Sequence, residues 1–257
     1  MDKNKTAIIL GSGLHQIVND MVVNEERSYD EIKGFKPCQV KGHQGKMIVG
    51  EIESQPVICC LGRPHWYEGR NPEEFLAFVK ALKNLGATSL IVTHCSGGLN
   101  PSYKAGTMML VKDHINWQFK SPLIGVNEDG RSRFLNMDGV YNEGMRDELK
   151  QAAKLVGVSL EEGVYMGVQG PCFETPAEVK AFQMLGADTV AMSSIPEIIA
   201  ARYYDLKIAM ISVVVNQGAG LSNEVLSHEH TLAMAAKSDV HLAQLLRTYF
   251  GRMKVDS

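Results

Sequence analysis

The sequence predicts an α/β protein, a single domain over residues 1–257 with a central mixed β-sheet flanked by helices. Short apolar or β-branched runs alternate with helix-like stretches along the whole chain, the order expected of helices layered on a sheet. Several runs are apolar throughout, which is the pattern of strands covered on both faces. At 257 residues and 45% apolar content, the chain can bury a substantial core and sits at the upper end of one domain's usual size.

Strands are expected at 6–10, 47–52, 56–61, 89–93, 108–111, 163–167, 189–192 and 207–215, where the runs are shortest and most β-branched. Helices are expected at 71–85, 144–155, 175–185, 195–204 and 226–250. Pro72 suits the first turn of the earliest, and Gly86 and Gly186 suit the residue after a helix end. The stretch 120–136 is polar, has no period and carries Pro122, Gly125 and Gly130, so it reads as a long surface loop of the kind that serves function.

Charge and composition narrow the partners. The formal charge of −3 is spread evenly, without the basic run or arginine-aromatic stripe of a nucleic-acid binder. The five cysteines (Cys38, Cys59, Cys60, Cys95, Cys172) are an odd number with no C-x-x-C spacing, which disfavours a zinc site and a complete disulfide framework. No apolar run approaches the roughly 18–20 residues that span a bilayer. The first residues lack the apolar core and cleavage site of a secretory signal, so a cytoplasmic protein is expected.

Residues suited to holding an anion recur at predicted strand ends. Gly11-Ser12-Gly13 follows the first strand, where small residues let backbone N–H groups approach an anion. Arg63 and His65 flank Pro64 in Gly62-Arg63-Pro64-His65-Trp66-Tyr67-Glu68-Gly69. A guanidinium fork matches phosphate oxygens, and the histidine adds a donor. Each feature has a plainer reading, as a tight turn, a surface ion pair or a core histidine. Glu174, in Gly170-Pro171-Cys172-Phe173-Glu174-Thr175, reads as a first-turn carboxylate favoured by the helix dipole. Asn216 after the last strand reads as a turn former, Met192-Ser193 as a core residue and a cap, and His228 as a residue opening the last helix.

Together, the order and spacing of these motifs resemble the trimeric purine nucleoside phosphorylases, the family that also holds the methylthioadenosine phosphorylases. The resemblance implies a nucleoside phosphorylase-like fold, a homotrimer and phosphorolysis of 6-oxopurine nucleosides, with inorganic phosphate as co-substrate and no cofactor or metal. It implies that Ser12, His43 (in Gly42-His43-Gln44-Gly45), Arg63, His65, Ser193 and the backbone N–H of Cys95 hold phosphate. Tyr67, Met192 and His228 would hold ribose, and Phe173, Glu174 and Asn216 the base. Asn216, Glu174 and His65 would stand closest to the chemistry.

The chain departs from that family's pattern in places. The usual V-T-N-A-A-G-G segment is Val92-Thr93-His94-Cys95-Ser96-Gly97-Gly98, His15 replaces a glycine, and Val215 replaces a threonine beside the base. The loop 127–134 lacks the phenylalanine-glycine pair through which a neighbouring subunit lends an aromatic wall. Three other readings compete. A methylthioadenosine phosphorylase would carry aspartate where Asn216 stands, and a catalytically weak nucleoside-binding protein would keep the fold alone. A dinucleotide oxidoreductase would need a third glycine where Gln16 stands.

Overall fold

A computed structural model describes residues 4–36, 44–125, 130–222 and 227–253. Among them, strands β1 (Lys5–Leu10), β2 (Val22–Ser28), β3 (Lys46–Ile52), β4 (Gln55–Leu61), β5 (Ala87–Gly98), β6 (Met108–Asn116), β7 (Leu160–Gly167), β8 (Thr189–Ala191) and β9 (Lys207–Gln217) form one sheet. Its order is β2-β3-β4-β1-β5-β8-β7-β6-β9, and β5 also pairs in parallel with β9. The run from β5 to β9 therefore closes into a barrel-like ring, with β1, β4, β3 and β2 extending from it as an open wing. Parallel pairings such as β1–β4 and β1–β5 coexist with antiparallel β3–β4 and β6–β9, so the sheet is mixed, as expected.

Helices α1 (Pro72–Asn84), α2 (Glu143–Val156), α3 (Pro176–Met184), α4 (Ile195–Tyr203) and α5 (His228–Arg252) cover both faces. Alternation along β1 shows how. Ala7 and Ile9 join the core beneath α1 and α4 with Phe78, Val79 and Ile198, whereas Ile8 and Leu10 join the core beneath α2 and α5 with Leu149, Leu245 and Phe250. A strand whose two faces are both buried must be apolar at every position, which is the run read from the sequence. Each of these fully buried isoleucine, leucine, valine and phenylalanine side chains contributes about 1.5–3 kcal/mol relative to leaving it in water.

Strand β2 was not expected. Its residues VVNEERS are almost all exposed and it pairs only with β3 at the sheet's rim. A charged edge strand carries no hydrophobic period, and its charges discourage edge-to-edge pairing. Strand β5 runs on to Gly98 and β9 to Gln217, past the predicted ends. The last helix begins at His228 rather than 226. Between Asn116 and Glu143 no helix or strand forms among the described residues, as the loop reading anticipated.

Candidate active site

The C-terminal ends of β1, β4, β5 and β9 converge with the segments after β7 and β8 on one cavity of about 140 Å³. Open α/β sheets bind ligands at this edge because strands stop there and the following loops are free to vary. The wall combines Ser12, Arg63, His65 and Ser193 with Tyr67, Met192, Phe173, Glu174 and Asn216. Cys95 lies there too, so every described residue that the resemblance assigns to phosphate, ribose or base lines this one cavity. His43 and the side chain of His228 lie outside what the structure describes; His228 does open α5.

Arg63 anchors the site from below. Its side chain is 1% exposed. Nη1 donates to Ser194 Oγ at 2.7 Å, while Nη2 donates to the Ile9 carbonyl at 3.2 Å and to the Thr93 carbonyl. The guanidinium thus ties the end of β1 and the middle of β5 to the start of α4 while lining the cavity, a deeper placement than a simple phosphate fork. Thr93 completes the knot, its hydroxyl donating to Ile9 O and accepting from Gly11 N, each at 3.2 Å. At residue 11 a β-carbon would lie 2.9 Å from His94 Cα, so only glycine lets the Gly11–Gly13 turn close against β5.

His65 is buried, and its Nδ1 lies 3.2 Å from Glu68 Oε1. Glu68 also pairs with Arg70 at 2.9 Å, and Arg70 with Glu74 at 2.8 Å. Burial lowers the His65 pKa; Glu68 pulls it back up, and Arg63 and Arg70 push it further down. The ring is therefore neutral near pH 7, with Nδ1–H donating to Glu68 and Nε2 an acceptor. That modifies the sequence reading of His65 as a simple donor. Its ring stacks on Tyr67 with centroids 4.7 Å apart.

Cys95 is a structural thiol. Burial pushes its pKa up to about 12, against the pull of Arg63, and Sγ–H donates to the Ser12 carbonyl at 3.3 Å. The thiol therefore braces the Gly11–Gly13 turn and is not a nucleophile at neutral pH.

Glu174 does not take the plainer role of a first-turn carboxylate. Helix α3 starts at Pro176 with Thr175 as its cap, and the first-turn carboxylate is Glu178, whose Oε2 accepts from Thr175 N at 2.8 Å. Glu174 precedes the cap and faces the cavity instead. Burial raises its pKa, with a smaller push from Glu178. Phe173 stands at the mouth, 41% exposed. Asn216, 6% exposed, lies within β9, and its Nδ2 donates to the Gln217 carbonyl at 2.9 Å. Met192 packs against Gly170, where a β-carbon would fall 2.5 Å from the sulfur.

Three polar residues in the apolar interior escaped the sequence reading. Thr93, Ser194 and Ser212 are fully buried and bind Arg63 or His94. Their signal is a hydroxyl inside an otherwise apolar strand or at a helix start, such as Ser212 in the middle of β9. A buried hydroxyl must find a partner.

Residues 5–251 match the Phosphorylase superfamily. Purine nucleoside phosphorylase 1 of Bacillus subtilis (strain 168) is 36% identical over 244 residues, covering 95% of this chain and 90% of that protein. Purine nucleoside phosphorylase of Bos taurus is 36% identical over 219 residues, covering 83% of this chain and 76% of that protein. Among solved structures, Schistosoma mansoni purine nucleoside phosphorylase in complex with inosine superposes with a TM-score of 0.88 at 30% identity, over 97% of this chain and 90% of that one. The same enzyme in complex with adenosine gives a TM-score of 0.89 at 30% identity, over 97% and 91%. With sequence and fold similar over almost its whole length, this chain belongs to the phosphorylase superfamily, with the purine nucleoside phosphorylases.

Proposed function

We propose that this chain is a purine nucleoside phosphorylase that cleaves 6-oxopurine nucleosides, inosine and guanosine, to free base and ribose 1-phosphate in purine salvage. The observation that carries this is the polarity of one cavity. Arg63, Ser12 and Ser193 supply donors suited to an anion, His65 an acceptor for a protonated phosphate oxygen, and Glu174 and Asn216 a carboxylate and an amide, all on the wall of this one cavity.

In this reading, phosphate oxygen attacks C1′ as the C1′–N9 bond breaks, and the bonding electron pair leaves with the purine. Dianionic phosphate stabilises the oxocarbenium-like sugar between them. Neutral His65, accepting through Nε2, takes a hydrogen bond from a protonated phosphate oxygen. Asn216 donates to the purine more strongly as negative charge builds at N7, a gain realised mainly in the transition state. Ionised Glu174 accepts N1–H of a 6-oxopurine. Tyr67, Met192 and His228 hold the ribose, and the Cys95 backbone and His43 add to the phosphate site. Inorganic phosphate is the only co-substrate the reading needs.

Related structures hold inosine, guanosine or adenosine, so the choice of base turns on Glu174 and Asn216. The methylthioadenosine branch is the weaker reading because an amide, not a carboxylate, stands at residue 216. A homotrimer is part of the proposal, and the exposed Phe119, Ile124 and Phe134 after β6 support it as large apolar side chains available for burial against a neighbour. A cytoplasmic location is likewise inferred, in keeping with the absence of any disulfide among the described cysteines. Among the described residues, no helix is long and apolar enough to cross a membrane. A panel of nucleosides incubated with and without phosphate tests the reading: base release that needs no phosphate contradicts it.

A further inference from the structure

The segment that departs most from the family pattern contains a buried imidazole with two hydroxyl partners. His94 is 2% exposed; its Nδ1 lies 2.8 Å from Ser194 Oγ and its Nε2 2.8 Å from Ser212 Oγ. Ser194 accepts from Arg63 Nη1 at 2.7 Å. Ser212 Oγ–H donates to Ser96 Oγ at 2.8 Å, with Thr189 Oγ1 a more distant alternative at 3.3 Å. Ser96 in turn donates to the Val213 carbonyl at 3.4 Å. All these side chains are almost wholly buried, so their protons are best satisfied within the chain of groups.

One arrangement serves every member. Arginine can only donate, so Ser194 accepts from Arg63; with Ser193 Oγ, 3.2 Å away, donating to it as well, its own O–H points to His94 Nδ1 at the shorter distance of 2.8 Å. The imidazole proton is then on Nε2 and is given to Ser212, which passes its hydrogen to Ser96. If Nδ1 carried the proton instead, Ser212 would donate to His94 and Ser96 would have to turn its hydrogen to Ser212, which leaves the Val213 carbonyl without its Ser96 donor. Burial first, and the charge of Arg63 second, hold the imidazole neutral.

We propose that His94 is a positioning residue for phosphorolysis: as the Nε2–H tautomer it locks Ser194, and through it the Arg63 guanidinium, while fixing Ser96 beside the base end of the cavity. This rests on the assignment of Arg63 to phosphate made above. The imidazole is a spacer with an acceptor at one end and a donor at the other, and a glutamine amide offers the same pair. Alanine offers neither.

The test measures binding of inorganic phosphate by calorimetry, together with separate KM values for phosphate and inosine, in the wild type, His94→Ala, His94→Gln, Ser194→Ala and the His94→Ala/Ser194→Ala double variant. His94→Ala should weaken phosphate binding about tenfold with the inosine KM changed by less than about threefold. His94→Gln should recover to within about threefold of wild type. The double variant should be within about twofold of the worse single variant, because both break the same link. Nitrogen chemical shifts of His94 should report the neutral Nε2–H tautomer, a readout independent of turnover.

Wild-type phosphate affinity in a folded His94→Ala, additive losses in the double variant, or an Nδ1–H tautomer overturns the proposal. Should His94→Ala fail to fold, His94→Gln and Ser194→Ala decide it: glutamine no better than Ser194→Ala overturns it. Wild-type protein that binds phosphate yet cleaves no nucleoside refutes the functional reading alone and leaves the phosphate measurements to judge His94. Wild-type protein that binds no phosphate overturns both.

Discussion

Gly97 and Asn216 are partners in the β5–β9 register, immediately after a bulge between Ser96 and Gly97, and a β-carbon at residue 97 would stand 3.3 Å from Asn216 Nδ2. The bulge re-aims the strand at the point where the amide must face the cavity. Asn216 is held on its other side by the Gln217 carbonyl, so it has little room to yield.

Gly97→Ala should therefore push the Asn216 amide by a few tenths of an ångström and lower kcat/KM for inosine about tenfold, a size set by the sensitivity of catalysis to small misplacement. Stability should change by less than about 1 kcal/mol, since no buried contact is lost. Steady-state kinetics beside thermal unfolding check both halves. Wild-type kinetics would show that the contact does not constrain Asn216.

Much of this was legible in the sequence, for identifiable reasons. Strand β1 and helix α1 announce themselves because burial on both faces, or on one stripe between Pro72 and Gly86, imposes a pattern on the residues. Strand β2 imposes none, since Glu25, Glu26 and Arg27 lie at a rim where solvent accepts either a strand or a loop. In the site, Arg63, His65 and Asn216 are visible as polar residues at strand ends and Glu174 as a carboxylate at a helix start. The partners that hold them are not. Ser194 and Ser212 look like minor interruptions of apolar runs, and only the fold brings them, from 100 and 118 residues away, to the ring of His94.

Arg63→Ala should raise the phosphate KM by about two orders of magnitude, because it removes a charged donor from a desolvated anion site. It should also lower stability by about 1–3 kcal/mol, since the Ile9 and Thr93 carbonyls lose a buried donor. A phosphate titration and a denaturant melt separate the two effects. An unchanged phosphate KM would remove Arg63 from the anion site.

Glu174 sets an acidic limb. Burial raises its pKa, so the neutral acid persists to a higher pH than for an exposed carboxyl, and only above that raised value is the carboxylate available to accept N1–H. Accordingly, kcat/KM for inosine should rise with pH through a midpoint above the usual carboxylate range. In Glu174→Gln the pH profile should lose that limb and kcat/KM should fall at every pH. A limb that persists unchanged in the variant would assign it to another group.

Asn216→Asp should shift relative activity from inosine toward adenosine, because a carboxylate accepts from the 6-amino group and cannot donate to O6. The ratio of kcat/KM values for the two nucleosides should move by about tenfold or more, the scale of one buried hydrogen bond to a charged group. An unchanged ratio would place Asn216 away from the 6-position.

The most direct measurement follows release of base and sugar 1-phosphate by the wild-type protein from inosine, guanosine and adenosine, with and without inorganic phosphate. Inosine and guanosine should be cleaved only when phosphate is present, each yielding ribose 1-phosphate. Adenosine should be slower by about two orders of magnitude or more, because its unprotonated N1 faces the Glu174 carboxylate acceptor to acceptor. Preference for adenosine or methylthioadenosine, or release of base without phosphate, would contradict the assignment of this cavity to 6-oxopurine phosphorolysis.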